Sequence, residues 1–571
     1  MTALAARNDR IKLAGRRHEA MALGHFRLML VMLLFLGGTA VIAAKLLYLT
    51  IATDPAHANV RGDGLPARAD IVDRNGVPLA RTIEAWSIAI HPSALVSDPE
   101  ELAPKLAALM PERTTGTYLA MLRSGRNFAF LRRRAMPELV AQVNALGEPA
   151  IEFQRESDRL YPQATLASHV LGFTNLDGVG TGGVEGAFDE RLTEAASRGR
   201  PMELSIDTRV QSAMEAELYA AMQRFGAIGA GGVILDVNTG EVLALASLPA
   251  FNPNAAGRVP AEVRYNKATM GVYELGSTFK AITVAAGLES GVISSMTKRY
   301  DATAALQVGR FRIKDDHPEN RWLNVPEMMV HSSNIVTARI AEEIGPKRMQ
   351  AMFNRLGFNT RTDVEIREKS RPLWPTYWAR TTTMTVGYGH GIAVTPLHLA
   401  NAYAALVNGG IWRPATVLKR TGTIPAGRRV LSEANSFRVR QMLRLVVTKG
   451  TGKNAEKAGA AGFRLGGKTG TGEKPEAGGY SRNANVTTFA GAFPMEAPKY
   501  VVIAMLDSPQ GTKETYGFKT AGWNAAPLVG RVVHRVAPIL GVMPDANRDI
   551  DVSDLLPLLW EPGKATTNAI E

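Results

Sequence analysis

Residues 28–44 form an unbroken run of seventeen uncharged, mostly apolar side chains, and no other run of that length in the chain is as apolar. Lys45 interrupts it, and residues 46–52 resume the pattern. A helix over 26–51 is long enough to cross a bilayer, for which about 20 apolar residues suffice. Arg27 and Lys45 can extend their charges to the interface. A cleaved leader is the competing reading, but it calls for an apolar core of about 7–15 residues and a small-x-small cut site. The longer core here, followed by a helix-like Lys45-Leu46-Leu47-Tyr48, favours a retained anchor. Arg7, Arg10, Lys12, Arg16, Arg17 and Arg27 outnumber Asp9 and Glu19, which puts the N-terminus on the cytoplasmic side. The rest of the chain then folds outside the cytoplasm, in a single-pass arrangement.

A chain of 571 residues calls for two or three folded units. Its 46% hydrophobic and 21% charged residues describe a globular protein. The absence of cysteine excludes thiolate catalysis, disulfides and cysteine-bound metal. A net charge of +13 raises nucleic-acid binding as a first thought. The basic residues are scattered, however, and no basic run interleaved with aromatics occurs, so no nucleic-acid partner is expected. A basic surface facing anionic lipid or an anionic polymer fits as well.

The texture divides the chain into a basic tail at 1–25, an anchor at 26–51, a unit at 52–200, a larger unit at 201–545 and a tail at 546–571. The unit at 52–200 reads as short strands and turns, such as Asp73-Arg74-Asn75-Gly76, and carries no catalytic constellation. In the larger unit, apolar 231–235, a turn at 236–240 and apolar 242–247 predict a β-hairpin. Helical spacing follows at 277–288, 327–344, 396–407 and 433–447. Strands return at 463–471, 486–493 and 500–507, the last two joined tightly through 494–499. Two strands before a helical middle and three after it predict one antiparallel sheet with helices on its faces. The polar, acidic final tail is expected to be loosely ordered.

Three short motifs fall in the larger unit. Ser277-Thr278-Phe279-Lys280 opens an apolar helix, where positions i and i+3 are neighbours. The lysine amine can therefore reach the serine hydroxyl, and burial would favour its neutral, basic form. The helix start also favours a developing anion. Ser295-Met296-Thr297-Lys298 has the same pattern in an unsuitable context, so the pattern alone decides nothing, and Ser277 could be an ordinary N-cap. Ser332-Ser333-Asn334 offers a hydroxyl to relay a proton and an amide to hold a substrate, or else another cap; Ser481-Arg482-Asn483 repeats it. Lys468-Thr469-Gly470-Thr471 occurs once, on a late strand. Its lysine and hydroxyls suit a carboxylate, and glycine lets a ligand approach a strand edge. The stretch 462–469 also fits the phosphate-loop pattern G-x-x-x-x-G-K-[ST]. That pattern requires a preceding strand and a following helix, and Gly470-Thr471-Gly472-Glu473-Lys474-Pro475 cannot open one.

The order Ser-x-x-Lys, Ser-x-Asn, Lys-Thr-Gly resembles that of penicillin-binding proteins and serine β-lactamases. Arg68-Ala69-Asp70-Ile71-Val72-Asp73-Arg74-Asn75-Gly76 resembles the R-G-x-I-x-D-R-x-G element of class B penicillin-binding proteins, with Ala69 in place of a glycine. Arg159-Leu160-Tyr161-Pro162 and Gly183-Val184-Glu185-Gly186 are similar to two further elements of that family's pedestal. Gly387-Tyr388-Gly389 with Thr395-Pro396-Leu397 resembles its division-specific branch. Gly472-Glu473 departs from the residues commoner after Lys-Thr-Gly-Thr.

The resemblance implies an α/β transpeptidase fold, a five-stranded antiparallel sheet flanked by helices, on an α+β pedestal with one transmembrane helix. It implies a peptidoglycan D,D-transpeptidase of septal wall synthesis, held in the inner membrane with its catalytic domain in the periplasm. The implied substrate is a stem peptide ending in D-Ala-D-Ala, with β-lactams as inhibitors. Ser277 would be the nucleophile, Lys280 its base and Ser332 the proton relay, with Lys468 completing the catalytic set. Asn334, Thr469, Gly470 and Thr471 would bind substrate, and no cofactor or metal is implied. A membrane-embedded septal glycan polymerase and other division proteins are the implied partners. An elongation-specific transpeptidase is the alternative. A β-lactamase would have no use for the anchor and pedestal, and a β-lactam sensor would need a cytoplasmic signalling domain. A bifunctional synthase would need a second catalytic domain that 52–200 is too short to supply.

Overall fold

A computed structural model describes residues 25–45, 68–197, 199–476 and 479–560, without the side chains of 475–479 and 481–483. Two units are distinct, residues 1–65 and 66–571. In the first, His25–Lys45 is one helix of 21 residues with a mean hydropathy of 2.2, long and apolar enough to cross a membrane. The expected continuation over 46–51 lies outside the described residues.

In the second unit, Pro78–Ile90 is a thirteen-residue strand rather than one of several short ones. It pairs antiparallel with Ala129–Ala135 and, along most of its length, with Ile151–Leu160. The sequence of the last strand, rich in Glu, Arg and Asp, hides it from any apolar pattern. Three helices, Pro99–Leu109, Thr115–Leu122 and Pro137–Asn144, cover the outer half around Ile88, Ile90, Leu106 and Tyr118.

The inner half has no core of its own. Ile71, Leu79, Tyr161 and Val184 belong to the same apolar cluster as Leu235, Phe279 and Tyr403. Met202–Glu203 pairs parallel with Ile71–Val72. Thr208 donates its N–H and hydroxyl to Asp73 at 3.0 and 2.9 Å. The sheet of the segment ahead of position 200 thus continues past that position, inside the same unit.

Three remote sequence elements meet on one buried carboxylate. Arg68 Nε donates to Glu185 at 2.5 Å and Arg159 Nε at 2.7 Å, while Arg68 Nη1 reaches Asp189 at 2.6 Å. Glu185 is wholly buried. Ala69, which replaces a glycine, is also buried, and its N–H donates to Leu192 O at 2.8 Å.

The larger sheet orders its strands as Gly466–Glu476, Gly479–Phe493, Tyr500–Asp507, Gly229–Asp236, Val242–Leu248, all antiparallel. Five strands, two early and three late, were expected. The late hairpin runs further than expected, from 466 to 493, because its glycine- and threonine-rich limb carries no apolar signal. One face carries Thr208–Arg224 and Ala525–Ile539; the other carries the helical middle. Phe279–Glu289 and Pro396–Val407 are buried almost throughout, so their function as helices rests on packing rather than amphipathicity. Phe279 lies against Phe353 and Phe358 at 5.7 and 5.3 Å between ring centroids. Each such buried ring contributes about 1.5–3 kcal/mol.

The segment 546–560, expected to be loose, instead straps the catalytic unit. Asp549 pairs with Arg444 at 2.6 Å, and Asp554 pairs with Arg438. Asn324 Nδ2 donates to Leu558 O at 2.7 Å, and Leu555 is buried. Its acidic residues complement basic side chains of Glu433–Thr448, a match that only the fold reveals.

Removing one member of a buried ion cluster leaves uncompensated charge, at about 3–5 kcal/mol. Glu185→Ala is therefore expected to lower stability by about that amount in denaturant titrations. A loss under about 1 kcal/mol would show that the two arginines find solvent instead.

Candidate active site

Ser277 sits in the single turn Gly276–Thr278 that leads into Phe279–Glu289. That turn is wedged between two backbones. Gly276 has φ +52, and a Cβ there would lie 2.4 Å from Thr471 O. Gly389, at φ +82, would put its Cβ 2.2 Å from Gly276 O. On the strand Gly466–Glu476, a Cβ at Gly470 would meet Leu275 O at 2.2 Å, and one at Gly472 would meet Glu274 O at 1.8 Å. Gly470 and Gly472, two apart and so on one face, clear the path of the Ser277 turn. Besides the expected closeness to a ligand, Gly470 is required by its closeness to this backbone.

Lys280 projects into the interior and is wholly buried. Its Nζ donates to Ser332 Oγ at 3.0 Å and also to Ser332 O. Lys468, buried as completely, donates from the edge strand to the same Ser332 Oγ at 2.9 Å and to Thr469 O at 3.2 Å. The sequence pointed to a Lys280–Ser277 contact; the amine lies on Ser332 instead, and Ser277 Oγ has no hydrogen bond among the described residues. Such contacts are often loose before substrate binds.

Ser332 is held for this task. It ends the helix Val325–His331 in the left-handed region, φ 61, unfavourable for a residue other than glycine. Ser333 takes the capping role that was the plain alternative for this motif, accepting from Val336 N at 3.1 Å. Asp315, which sequence reasoning missed, accepts from Ser333 Oγ at 2.7 Å, Asn334 N at 2.6 Å and Ile335 N at 3.0 Å. Its carboxylate thus sits at the start of Asn334–Ile344, where helix dipole and free N–H groups favour an anion. No local pattern marks Asp315, because its partners lie some twenty residues on. Asn334 Nδ2 donates to Lys314 O at 3.1 Å.

Burial decides the lysines' charge. Loss of hydration pushes Lys280 down to about 7, opposed by the carboxylates of Asp315 and Asp316. Lys468 is also held well below its ordinary value, first by burial and then by the positive charge of Lys280. Two ammonium groups on one hydroxyl, with no carboxylate in contact, are unfavourable; the site favours one neutral amine.

The outer edge of Gly466–Glu476 has no strand partner among the described residues, which leaves that edge able to bind an extended chain. Thr469 Oγ1 lies 2.8 Å from Thr451 Oγ1, and Thr471 Oγ1 accepts from Ala521 N at 3.2 Å, with its own proton still available. Further out, Glu274 accepts from Tyr480 OH at 2.9 Å and lies 3.1 Å from His390 Nδ1.

The look-alike motifs separate clearly. Ser295 Oγ lies 2.7 Å from Thr297 Oγ1, and Lys298 pairs with Glu343 on the surface. The side chains of Ser481-Arg482-Asn483 lie outside the described residues. No helix follows Thr469, because 466–476 is strand, so the phosphate-loop pattern at 462–469 fails on geometry.

Residues 230–529 match the penicillin binding protein transpeptidase domain, and residues 64–200 the penicillin-binding protein dimerisation domain. The chain is 40% identical over 484 residues to the probable peptidoglycan D,D-transpeptidase FtsI of Caulobacter vibrioides, covering 83% of this chain and 82% of that one. It is 30% identical over 510 residues to the peptidoglycan D,D-transpeptidase FtsI of Escherichia coli K12, covering 84% and 85%. Penicillin binding protein 3 of Mycobacterium tuberculosis, solved with aztreonam, superposes with a TM-score of 0.66 at 26% identity, covering 84% of this chain and 97% of that one. The chain belongs to the penicillin-binding transpeptidases, with the family's dimerisation domain ahead of the catalytic one. It is a penicillin-sensitive serine D,D-transpeptidase.

A methyl group at 472 would force the strand off the Ser277 turn. Overpacking of this kind costs about 1–3 kcal/mol, and a displacement of about 1 Å can slow chemistry about a hundredfold. Gly472→Ala is expected to slow labelling by a fluorescent penicillin at least about tenfold. Gly257→Ala, with nothing within 4 Å of its Cβ, should leave the rate unchanged.

Proposed function

We propose that this protein cross-links peptidoglycan at the division septum, from an anchor in the inner membrane and with its catalytic domain in the periplasm. The observation that carries the catalytic assignment is the convergence of two buried lysines, from segments 188 residues apart in number, on Ser332 beside the Ser277 turn. In this reading Ser277 attacks the penultimate carbonyl of a stem peptide ending in D-Ala-D-Ala. Neutral Lys280 takes the hydroxyl proton. Ser332, bridging both lysines, passes a proton to the departing D-alanine amine. A second strand's amine then resolves the acyl-enzyme, with proton transfers reversed.

The backbone N–H groups of Ser277 and Thr471 would face the developing oxyanion, each such donor being worth about 2.7–4 kcal/mol. The close packing of Gly276 on Thr471 supports that pairing. Lys468, Thr469 and Thr471 would hold the terminal carboxylate, with Gly470 keeping the edge strand against the turn, and Asn334 would hold the stem-peptide amide. The septal role is supported by similarity to the relatives named FtsI and by the Gly387-Tyr388-Gly389 segment. A membrane-embedded glycan polymerase and other division proteins are the partners this role calls for. One helix would tether the two activities to one membrane and raise their effective concentration. An elongation-specific role is the second reading; septal or side-wall localisation of a tagged copy separates them.

Fluorescent penicillin is expected to label Ser277; Ser277→Ala should abolish labelling and Ser295→Ala should not. Labelling that persists in Ser277→Ala would overturn the assignment. A chain starting at residue 53 should acylate at a near-parental rate yet fail to support septation. Restored septation would show that the anchor is dispensable.

A further inference from the structure

A cavity of about 150 Å³ lies in the pedestal, against the strands Ala129–Ala135 and Ile151–Leu160, and no residue of the catalytic set lines it. Arg68, Arg134, Arg159, Asp158, Asp177 and Thr174 are among its walls. Two of its guanidinium groups are incompletely bonded. Arg159, only 5% exposed, uses Nε on Glu185 and Nη1 on Thr82 Oγ1 at 3.1 Å, while Nη2 is buried without a partner among the described residues. Arg134 uses Nη1 on Asp158 at 3.0 Å and Nη2 on Asn175 O at 2.5 Å, leaving Nε buried and unpartnered. Its backbone is left-handed, φ 57, a conformation that persists only where surroundings enforce it.

Buried N–H groups without acceptors are costly, and most such groups in folded proteins have partners. Guanidinium edges match carboxylates in geometry and charge. The wall is mixed, however. Arg68 is already neutralised by Glu185 and Asp189, while Asp158 pairs with Arg134 at 3.0 Å and Asp177, at the rim, with Arg133 at 3.2 Å. A dianion such as phosphate would meet those carboxylates, whereas a molecule with one carboxylate and one ammonium would satisfy both signs. The volume is that of about five waters.

We propose that this pedestal cavity binds a small free α-amino acid, its carboxylate on Arg159 Nη2 and Arg134 Nε and its ammonium toward Asp158 and Asp177. Resting on the proposed function, the amino acid at hand is D-alanine, released once per acylation. The cavity would then sense the product of the catalytic unit, through a network that also contacts Gly183, whose N–H donates to Glu368 Oε2 of that unit at 3.0 Å.

The test uses full-length protein in detergent, with its cleft first filled by penicillin so that product cannot bind there. Thermal midpoints are followed against D-alanine, acetate, inorganic phosphate and methylammonium at constant ionic strength. D-alanine is expected to give a saturable rise larger than the other three. Arg134→Gln should shift the midpoint of that titration at least tenfold, and Thr174→Val serves if Arg134→Gln does not fold. Penicillin labelling of the variant should match the parent. No saturable response to D-alanine, a larger response to phosphate, or an undiminished response in the variant would each overturn the proposal. Loss of labelling in the parent would instead count against the catalytic reading, and the binding titration on untreated protein would still decide this one.

Discussion

Two lysine side chains buried on one serine hydroxyl are the constraint around which the catalytic unit is arranged. An unpaired ammonium in a protein interior is strongly disfavoured, and the usual remedy is an adjacent carboxylate. Here neither Lys280 nor Lys468 touches one; each meets Ser332. Asp315, whose charge opposes the effect of burial on Lys280, spends its oxygens on Ser333, Asn334 and Ile335. The fold therefore keeps amine basicity low by burial while holding the intervening hydroxyl rigid. The same burial links stability to pH. Between about 7 and lysine's ordinary value, the unfolded chain binds a proton that folded Lys280 does not, so rising pH across that window favours folding.

That arrangement requires three separated segments to approach at backbone contact. Glycines at 276, 389, 470 and 472 permit it, because a Cβ at any of them would fall within 2.4 Å of a carbonyl oxygen. The edge position of Gly466–Glu476 leaves the strand's other side open to a substrate backbone. Farther away, the Arg68–Glu185–Arg159 cluster joins the pedestal's strands to its Gly-rich loop, and the shared apolar cluster continues from Ile71 into the catalytic unit. Pedestal and catalytic unit are in this sense one folded body with two chemical roles.

Much of this was legible in the sequence, and the limits have physical causes. The five strands and their antiparallel arrangement followed from apolar runs and short connections, and the three motifs followed from residue type and order. What escaped depended on contacts between remote residues. Ile151–Leu160 is a strand half of whose side chains are charged, so its pairing with Pro78–Ile90 outweighs its composition. Asp315 and Glu274 lie in irregular backbone and gain their roles only from the elements folded against them. The acidic segment after 545 looked like solvated tail, but Arg438 and Arg444 turn it into a strap. The i, i+3 rule placed Lys280 near Ser277 but could not foresee that Ser332, from another helix end, would take its amine.

The most direct measurement is the pH dependence of the second-order rate of acylation by a penicillin. If neutral Lys280 is the base, the rate should rise about tenfold per unit at low pH and level off above about 7, where burial has placed the amine. A rate that stays flat through that region, or climbs only near the ordinary lysine value, would contradict the account.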